Sequence, residues 1–132
     1  MKKVSYQVNA RTYQHCDPMM LLETVGFDKE IFTDWVGLFL TESISQFEAM
    51  LETIQAGDLK KLEFEAHALK GTVGQTGAEK MVELLLALEA EAHAGQCECP
   101  PQRIEMMRLE LMAAREEMQH FLEHGEFPEE EE

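Results

Sequence analysis

His67 is the residue whose surroundings single it out for chemistry. Leu59, Leu62, Ala66, Leu69 and Val73 recur at steps of three and four, so they form the apolar face of one helix. At about 100° per residue, His67 points roughly 120° from the middle of that face. An exposed imidazole with one ring nitrogen unprotonated is a nucleophile at neutral pH. Lys70 follows three residues later on the flank of the stripe, so its stem can lie along the bundle while its ammonium reaches outward. There it would meet anionic oxygens as a point charge. Glu63 and Gly74 fall on the same side, one to two turns away, and Gly71 sits one turn beyond His67 on the open face. A helix-interior glycine costs about 1 kcal/mol relative to alanine. Two beside one exposed histidine leave a low surface that suits close approach by another molecule.

A carboxylate belongs to the same neighbourhood. Ala78, Met81, Leu85, Leu88 and Ala92 make the next apolar stripe, and Glu89 lies about 60° from its middle, on a seam. A carboxylate on a seam requires a partner. If the glycine-rich stretch Gly74–Gly77 is the turn between two antiparallel helices, a rise of about 1.5 Å per residue brings Glu89 to the height of His67.

The flanking sequence supplies the elements that hold these residues. Asp17-Pro18 opens a short helix that Gly26 ends. Asp28 caps a long helix with Val36, Leu40, Ile44, Phe47, Leu51 and Ile54 at helical steps, widened by Trp35 and Phe39 and broken at Gly57. Asp58 caps the His67 helix. Thr76-Gly77-Ala78-Glu79 reads as a capping box for the next, which Gly95 stops. After the loop GQCECPP, two prolines open a last helix carrying Ile104, Met107, Leu111, Ala114, Met118 and Phe121, ended by Gly125. Short connections imply antiparallel neighbours. The expected fold is all-α: an antiparallel four-helix bundle over residues 17–125 with a short N-terminal helix at its entrance. Residues 1–16 read as an extended or loosely docked arm, and 126–132 as a solvated acidic tail.

The segment His67-Ala68-Leu69-Lys70-Gly71, preceded by Ala66 and followed by Gly77-Ala78, resembles the H-x-x-K-G signature of histidine-containing phosphotransfer (HPt) domains. With Leu88-Glu89 and the succession of helices, the resemblance covers roughly residues 17–122. It implies a phosphorelay module of two-component signalling. His67 would accept the phosphoryl group and Lys70 would meet its oxygens. Glu89 would accept the imidazole Nδ1 proton, leaving Nε2 as nucleophile. Gly71 would give a partner access. The implied partners are response-regulator receiver domains and a hybrid sensor histidine kinase. The implied Mg²⁺ belongs to the receiver, so the chain itself needs no cofactor. The stretch Thr72–Thr76, TVGQT, is more polar and glycine-rich than in many members of the family.

Charge agrees with such partners. With 26 acidic and 11 basic residues the chain carries −15, which argues against nucleic acid and against an anionic membrane surface. Residues 58–80 are neutral, with Lys60, Lys61, Lys70 and Lys80 against Asp58, Glu63, Glu65 and Glu79. A receiver's acidic cluster would meet repulsion anywhere else. No apolar run is long enough to span a bilayer or to form a signal peptide, and three cysteines make no disulfide framework, so a cytoplasmic protein is expected.

Other features carry weaker signals. His93 with Cys97-Glu98-Cys99 lacks zinc spacing, so no metal site is expected. His15-Cys16 has no context, and His120 and His124 read as solvent-facing near a helix end. No Gly-rich phosphate loop or G-x-S-x-G is present. A phosphoryl carrier without an ATP-binding region, rather than an enzyme, is the expectation. The alternative is a helical adaptor or inhibitor that binds a kinase or receiver without carrying phosphate.

Overall fold

Five helices form where the caps and stripes demand them, and the computed structural model describes residues 13–125. They are α1 (Pro18–Thr24), α2 (Lys29–Ala56), α3 (Leu59–Gly74), α4 (Glu79–His93) and α5 (Pro101–His124). No strand occurs among the described residues. The first twelve residues of the arm and the acidic tail lie outside them.

The N-caps are the expected aspartates. Asp17, Asp28 and Asp58 each accept a hydrogen bond from a backbone N–H three residues on, at 3.1, 3.0 and 3.1 Å. Each satisfies a donor that the first helical turn leaves orphaned. Gly57 ends α2 in the left-handed region at φ 68, with Asp58 N donating to Thr53 O. That is the six-to-one bond of a Schellman motif.

The stripes then zip the helices together. α3 packs between α2 and α4, and α5 touches both α2 and α4, which closes the four-helix bundle. Leu62, Ala66, Leu69 and Val73 face Met81, Leu85 and Leu88 in a core with almost no exposure. α2 joins α5 through Phe32 and Phe121, whose rings meet edge-to-face at 5.5 Å. Burying such a side chain stabilises the fold by about 1.5–3 kcal/mol. α1 covers one end of the bundle through Leu21 and Leu22.

Three expectations are corrected. On α2 the buried line is Phe32, Val36, Phe39, Ser43, Phe47, Met50 and Thr53, while Leu40, Ile44, Leu51 and Ile54 are only partly buried. The helix must face α3 and α5 at once, with small Ser43 in the middle of that arc and Thr53 at its edge. The Thr53 hydroxyl is satisfied by Met50 O at 2.7 Å.

The Thr76–Glu79 capping box does not form. Thr76 is buried, and its hydroxyl donates back to Val73 O at 2.8 Å. Ala78 is the N-cap of α4, with no side-chain bond. Gly77, at φ +69, turns the chain, and a Cβ there would meet the Asp17 Cβ at 2.6 Å. Asp17 N in turn donates to Thr76 O at 2.7 Å. The turn is held by Asp17, the N-cap of α1, together with the Thr76 hydroxyl.

The last residues of the arm are firmly seated. Glu117, buried on α5, accepts the backbone N–H groups of Gln14, His15 and Cys16 at 3.0, 2.8 and 3.2 Å. His15 Nδ1 lies 2.8 Å from Glu110, also buried. Tyr13 OH reaches His120 Nδ1 at 2.8 Å, so His120 is half-buried rather than solvent-facing.

Candidate functional site

α3 presents His67 outward because Leu62, Ala66, Leu69 and Val73 commit the opposite face to the core. The imidazole is 69% exposed. Its Nδ1 lies 2.8 Å from Glu89 Oε2 on α4. Lys70 Nζ donates to the other oxygen, Oε1, at 2.7 Å. One carboxylate therefore bridges the imidazole and the ammonium.

Glu89 can do so because it is only 19% exposed on the α3–α4 seam. A carboxylate withdrawn from water demands compensation, and the nearest cation is Lys70. The Lys70 hydrogen bond holds the Glu89 carboxyl below its ordinary value of 4.5; the His67 hydrogen bond adds to this, and partial burial opposes it. An ionised carboxylate has no proton to give. In a neutral imidazole the hydrogen must then sit on Nδ1, and Nε2 keeps its lone pair facing solvent.

The expected outward reach of Lys70 is not seen in this resting arrangement. Its stem lies in the seam, 23% exposed, and its head is turned to Glu89. Gly71 is exposed, and a Cβ there would meet nothing within 4 Å. Gly74 is partly buried, where a Cβ would touch Val82 Cγ2 at 3.8 Å. It belongs to the seam and not to the open approach. Glu63, one turn before His67, pairs with His93 Nδ1 at 2.9 Å.

Apolar groups near the site escaped the sequence reading. Phe64, one turn before His67 on α3, is 69% exposed. Its position off the core stripe was the available signal. Leu86, one turn before Glu89 on α4, is also exposed. Trp35, Leu38, Phe39 and Glu42 of α2 line a cleft of about 340 Å³ with Thr72 and Gln75 of α3. His67 thus shares α3 with the exposed Phe64, and α2 and α4 add exposed Trp35, Leu38 and Leu86, the kind of apolar surface that marks protein contact.

Cys97 and Cys99 sulfurs lie 3.4 Å apart. Burial, with the neighbouring Cys99, pushes the Cys97 thiol up to about 12. Among the described residues no group of three or more His, Cys, Asp or Glu side chains is placed to hold a metal ion. No helix among them is long and apolar enough to cross a membrane.

A family model described as "Hpt domain" matches residues 34–124, well over half of the chain. Among solved structures, the chain is similar to the crystal structure of histidine-containing phosphotransfer protein B (HptB) from Pseudomonas aeruginosa PAO1. The match has 23% identity and a TM-score of 0.76, and covers 85% of this chain and 97% of that one. No curated protein matches.

Proposed function

This chain belongs to the Hpt domain family, and from that premise we propose that it carries a phosphoryl group on His67 between the aspartates of two receiver domains. The observation that carries the reading is the Nδ1–Glu89 hydrogen bond beneath an open imidazole. It supports Nε2 as the nucleophile in a side chain with room for an incoming domain.

In the forward step the Nε2 lone pair attacks phosphorus in line. A P–N bond forms as the P–O bond to the donor aspartate breaks, and that carboxylate leaves with the electron pair. The Nδ1 proton stays on the ring, facing Glu89. Charge spreads over three phosphoryl oxygens, so catalysis is largely positioning and charge stabilisation. Lys70 is the available cation. Releasing Glu89 Oε1 for a phosphoryl oxygen exchanges one anion for another, and Glu89 can keep its bond to His67. The same steps in reverse order deliver the group to a second receiver aspartate.

The surface supports the choice of partners. The exposed apolar groups around His67 suit a protein face, and the neutral α3 region interrupts a chain of charge −15. We assign the Mg²⁺ to the receiver's acidic cluster, the receiver to response regulators, and the upstream donor to a hybrid sensor histidine kinase. In this role the protein is a carrier rather than an enzyme.

The test is transfer from a phosphorylated receiver domain to wild type and His67→Gln, read as acid-labile, base-stable label. Wild-type labelling that vanishes in His67→Gln supports the proposal. Labelling that persists overturns the acceptor, and unlabelled wild type that still binds the receiver favours the adaptor. Nitrogen NMR of the His67 ring tests the anchor: in Glu89→Ala the Nε2-protonated tautomer gains population. An unchanged tautomer ratio removes Glu89 from the site.

A further inference from the structure

The α3 face that carries His67 reads Lys60, Glu63, His67, Lys70, at spacings of three, four and three. Across the seam α4 presents Glu89 and His93, four residues apart. Side chains four apart share a helix face. The result is two parallel rungs. In one, His67 Nδ1 of α3 meets Glu89 Oε2 of α4 at 2.8 Å. In the other, His93 Nδ1 of α4 meets Glu63 Oε2 of α3 at 2.9 Å. Histidine and glutamate have exchanged helices, so a local twofold relates the rungs. Four residues separate them along each helix, about 6 Å.

The second rung has the features that make the first one reactive. His93 is 78% exposed, more open than His67. Its carboxylate partner, Glu63, is 35% exposed, less sheltered than Glu89 at 19% but more withdrawn than the imidazole it holds. A carboxylate accepts only, so the hydrogen sits on Nδ1 of the neutral ring and the Nε2 lone pair is free to attack. Ala90, Ala94 and Gly95 flank it, all small and exposed, and a Cβ on Gly95 would meet nothing within 4 Å. Lys60, exposed one turn from Glu63 on the same face, supplies positive charge at that end of the seam.

We propose that His93 is a second phosphoryl-accepting histidine, anchored by Glu63, that takes its phosphoryl group from a small acyl phosphate. Nε2 attacks phosphorus, and a P–N bond forms. The P–O bond to the acyl group breaks, and the acyl carboxylate leaves with the electron pair. The Nδ1 proton remains on the ring, held by Glu63, so the step needs no other reactant. The rungs differ in the cation. Lys70 is bonded to the carboxylate of the first rung. Lys60 lies a turn away from that of the second, so His93 is the slower acceptor.

The test uses the full chain carrying His67→Gln, exposed to acetyl phosphate at neutral pH, with phosphohistidine mapped by mass spectrometry in base. His124 is the internal reference. It is 59% exposed, and its Nε2, the nitrogen that would have to attack, lies 3.8 Å from the Glu123 carboxylate. The expected result is labelling of His93 about tenfold or more faster than of His124. Adding Glu63→Ala brings His93 down to the rate of His124, while Glu63→Gln retains most of it because the amide oxygen still accepts the Nδ1 proton. Circular dichroism confirms that each variant is folded, as the exposure of these side chains leads one to expect. His93 labelled no faster than His124, or equally fast with Glu63→Ala, overturns the proposal. It stands apart from the relay reading, which transfer from a phosphorylated receiver decides: wild type that labels at His93 with acetyl phosphate but takes no label at His67 from the receiver retains the one and removes the other.

Discussion

Lys70 Nζ and Glu89 Oε1 are 2.7 Å apart, so the ammonium is tied to the same carboxylate that meets the His67 imidazole. Lys70→Ala frees one oxygen of Glu89 and removes the cation nearest to the developing phosphoryl charge. Transfer to His67 is expected to slow by about tenfold or more, equivalent to at least about 1.4 kcal/mol of transition-state stabilisation. Receiver affinity should change less. Because the Lys70 bond is the main cause that lowers the Glu89 carboxyl, carbon NMR should show Glu89 titrating higher in the variant. Wild-type transfer with an unmoved Glu89 titration would leave Lys70 a structural residue.

His67→Gln is expected to lose all phosphoryl acceptance at residue 67 and to melt within a few degrees of wild type. The side chain is 69% exposed, and surface substitutions usually change stability by no more than about 0.5 kcal/mol. Thermal denaturation followed by circular dichroism checks the second half. A large loss of stability would show that the imidazole is part of the fold.

Gly71→Leu separates access from stability. The position is helical and open, so the larger side chain meets no obstacle. Helix propensity should raise stability by up to about 1 kcal/mol. The leucine would stand one turn from Nε2 on the approach side, so transfer from a receiver should drop sharply. Transfer from a small acyl phosphate should be nearly unchanged. Equal losses with both donors would point to a disturbed His67 instead.

Glu89 also sets a pH dependence. Its carboxyl is lowered in the folded state from an ordinary value of 4.5. The unfolded chain therefore binds that proton more readily. The stabilisation is fully present above about pH 4.5 and is lost as pH falls through the folded value. Urea melts of wild type and Glu89→Gln should differ most near neutral pH, and the difference should shrink steadily in acid. A gap independent of pH would mean that ionisation of Glu89 contributes nothing.

Glu117→Ala is expected to be among the most damaging single changes outside the apolar core. It leaves three backbone N–H groups, those of Gln14, His15 and Cys16, without their acceptor. An unsatisfied buried donor costs about 1–3 kcal/mol, and part of that is recovered if this segment detaches into water. A loss of about 2–4 kcal/mol follows. Hydrogen exchange should show residues 14–16 losing protection before the rest of the bundle.

The α3–α4 half of the molecule was legible because it is local. A short turn and a fixed rise per residue suffice to put Glu89 opposite His67, 22 residues away. Less legible was that one carboxylate serves both His67 and Lys70, since spacing locates side chains without saying which of two partners a head group chooses. The Glu117 and Glu110 contacts were hidden for another reason. Their partners on the arm lie 95 to 103 residues away, and no local period reports such a meeting. An acidic residue at each of two positions seven apart, on the stripe of Met107, Leu111, Ala114, Met118 and Phe121, was the trace they left. On α2 the period was right and its phase was not, because Ser43, near the centre of the buried arc, and Thr53, at its edge, are polar.

The turn at Gly74–Gly77, closed by Asp17, acts as a gauge for everything chemical in the seam. One inserted residue would rotate α4 by about 100° and displace it by about 1.5 Å relative to α3. Glu89 would swing away from His67, and His93 from Glu63, together. Chains built on this hairpin are therefore free to vary the length of the loop between α4 and α5, whereas a single extra residue before Glu79 would leave a bundle with its histidines unanchored.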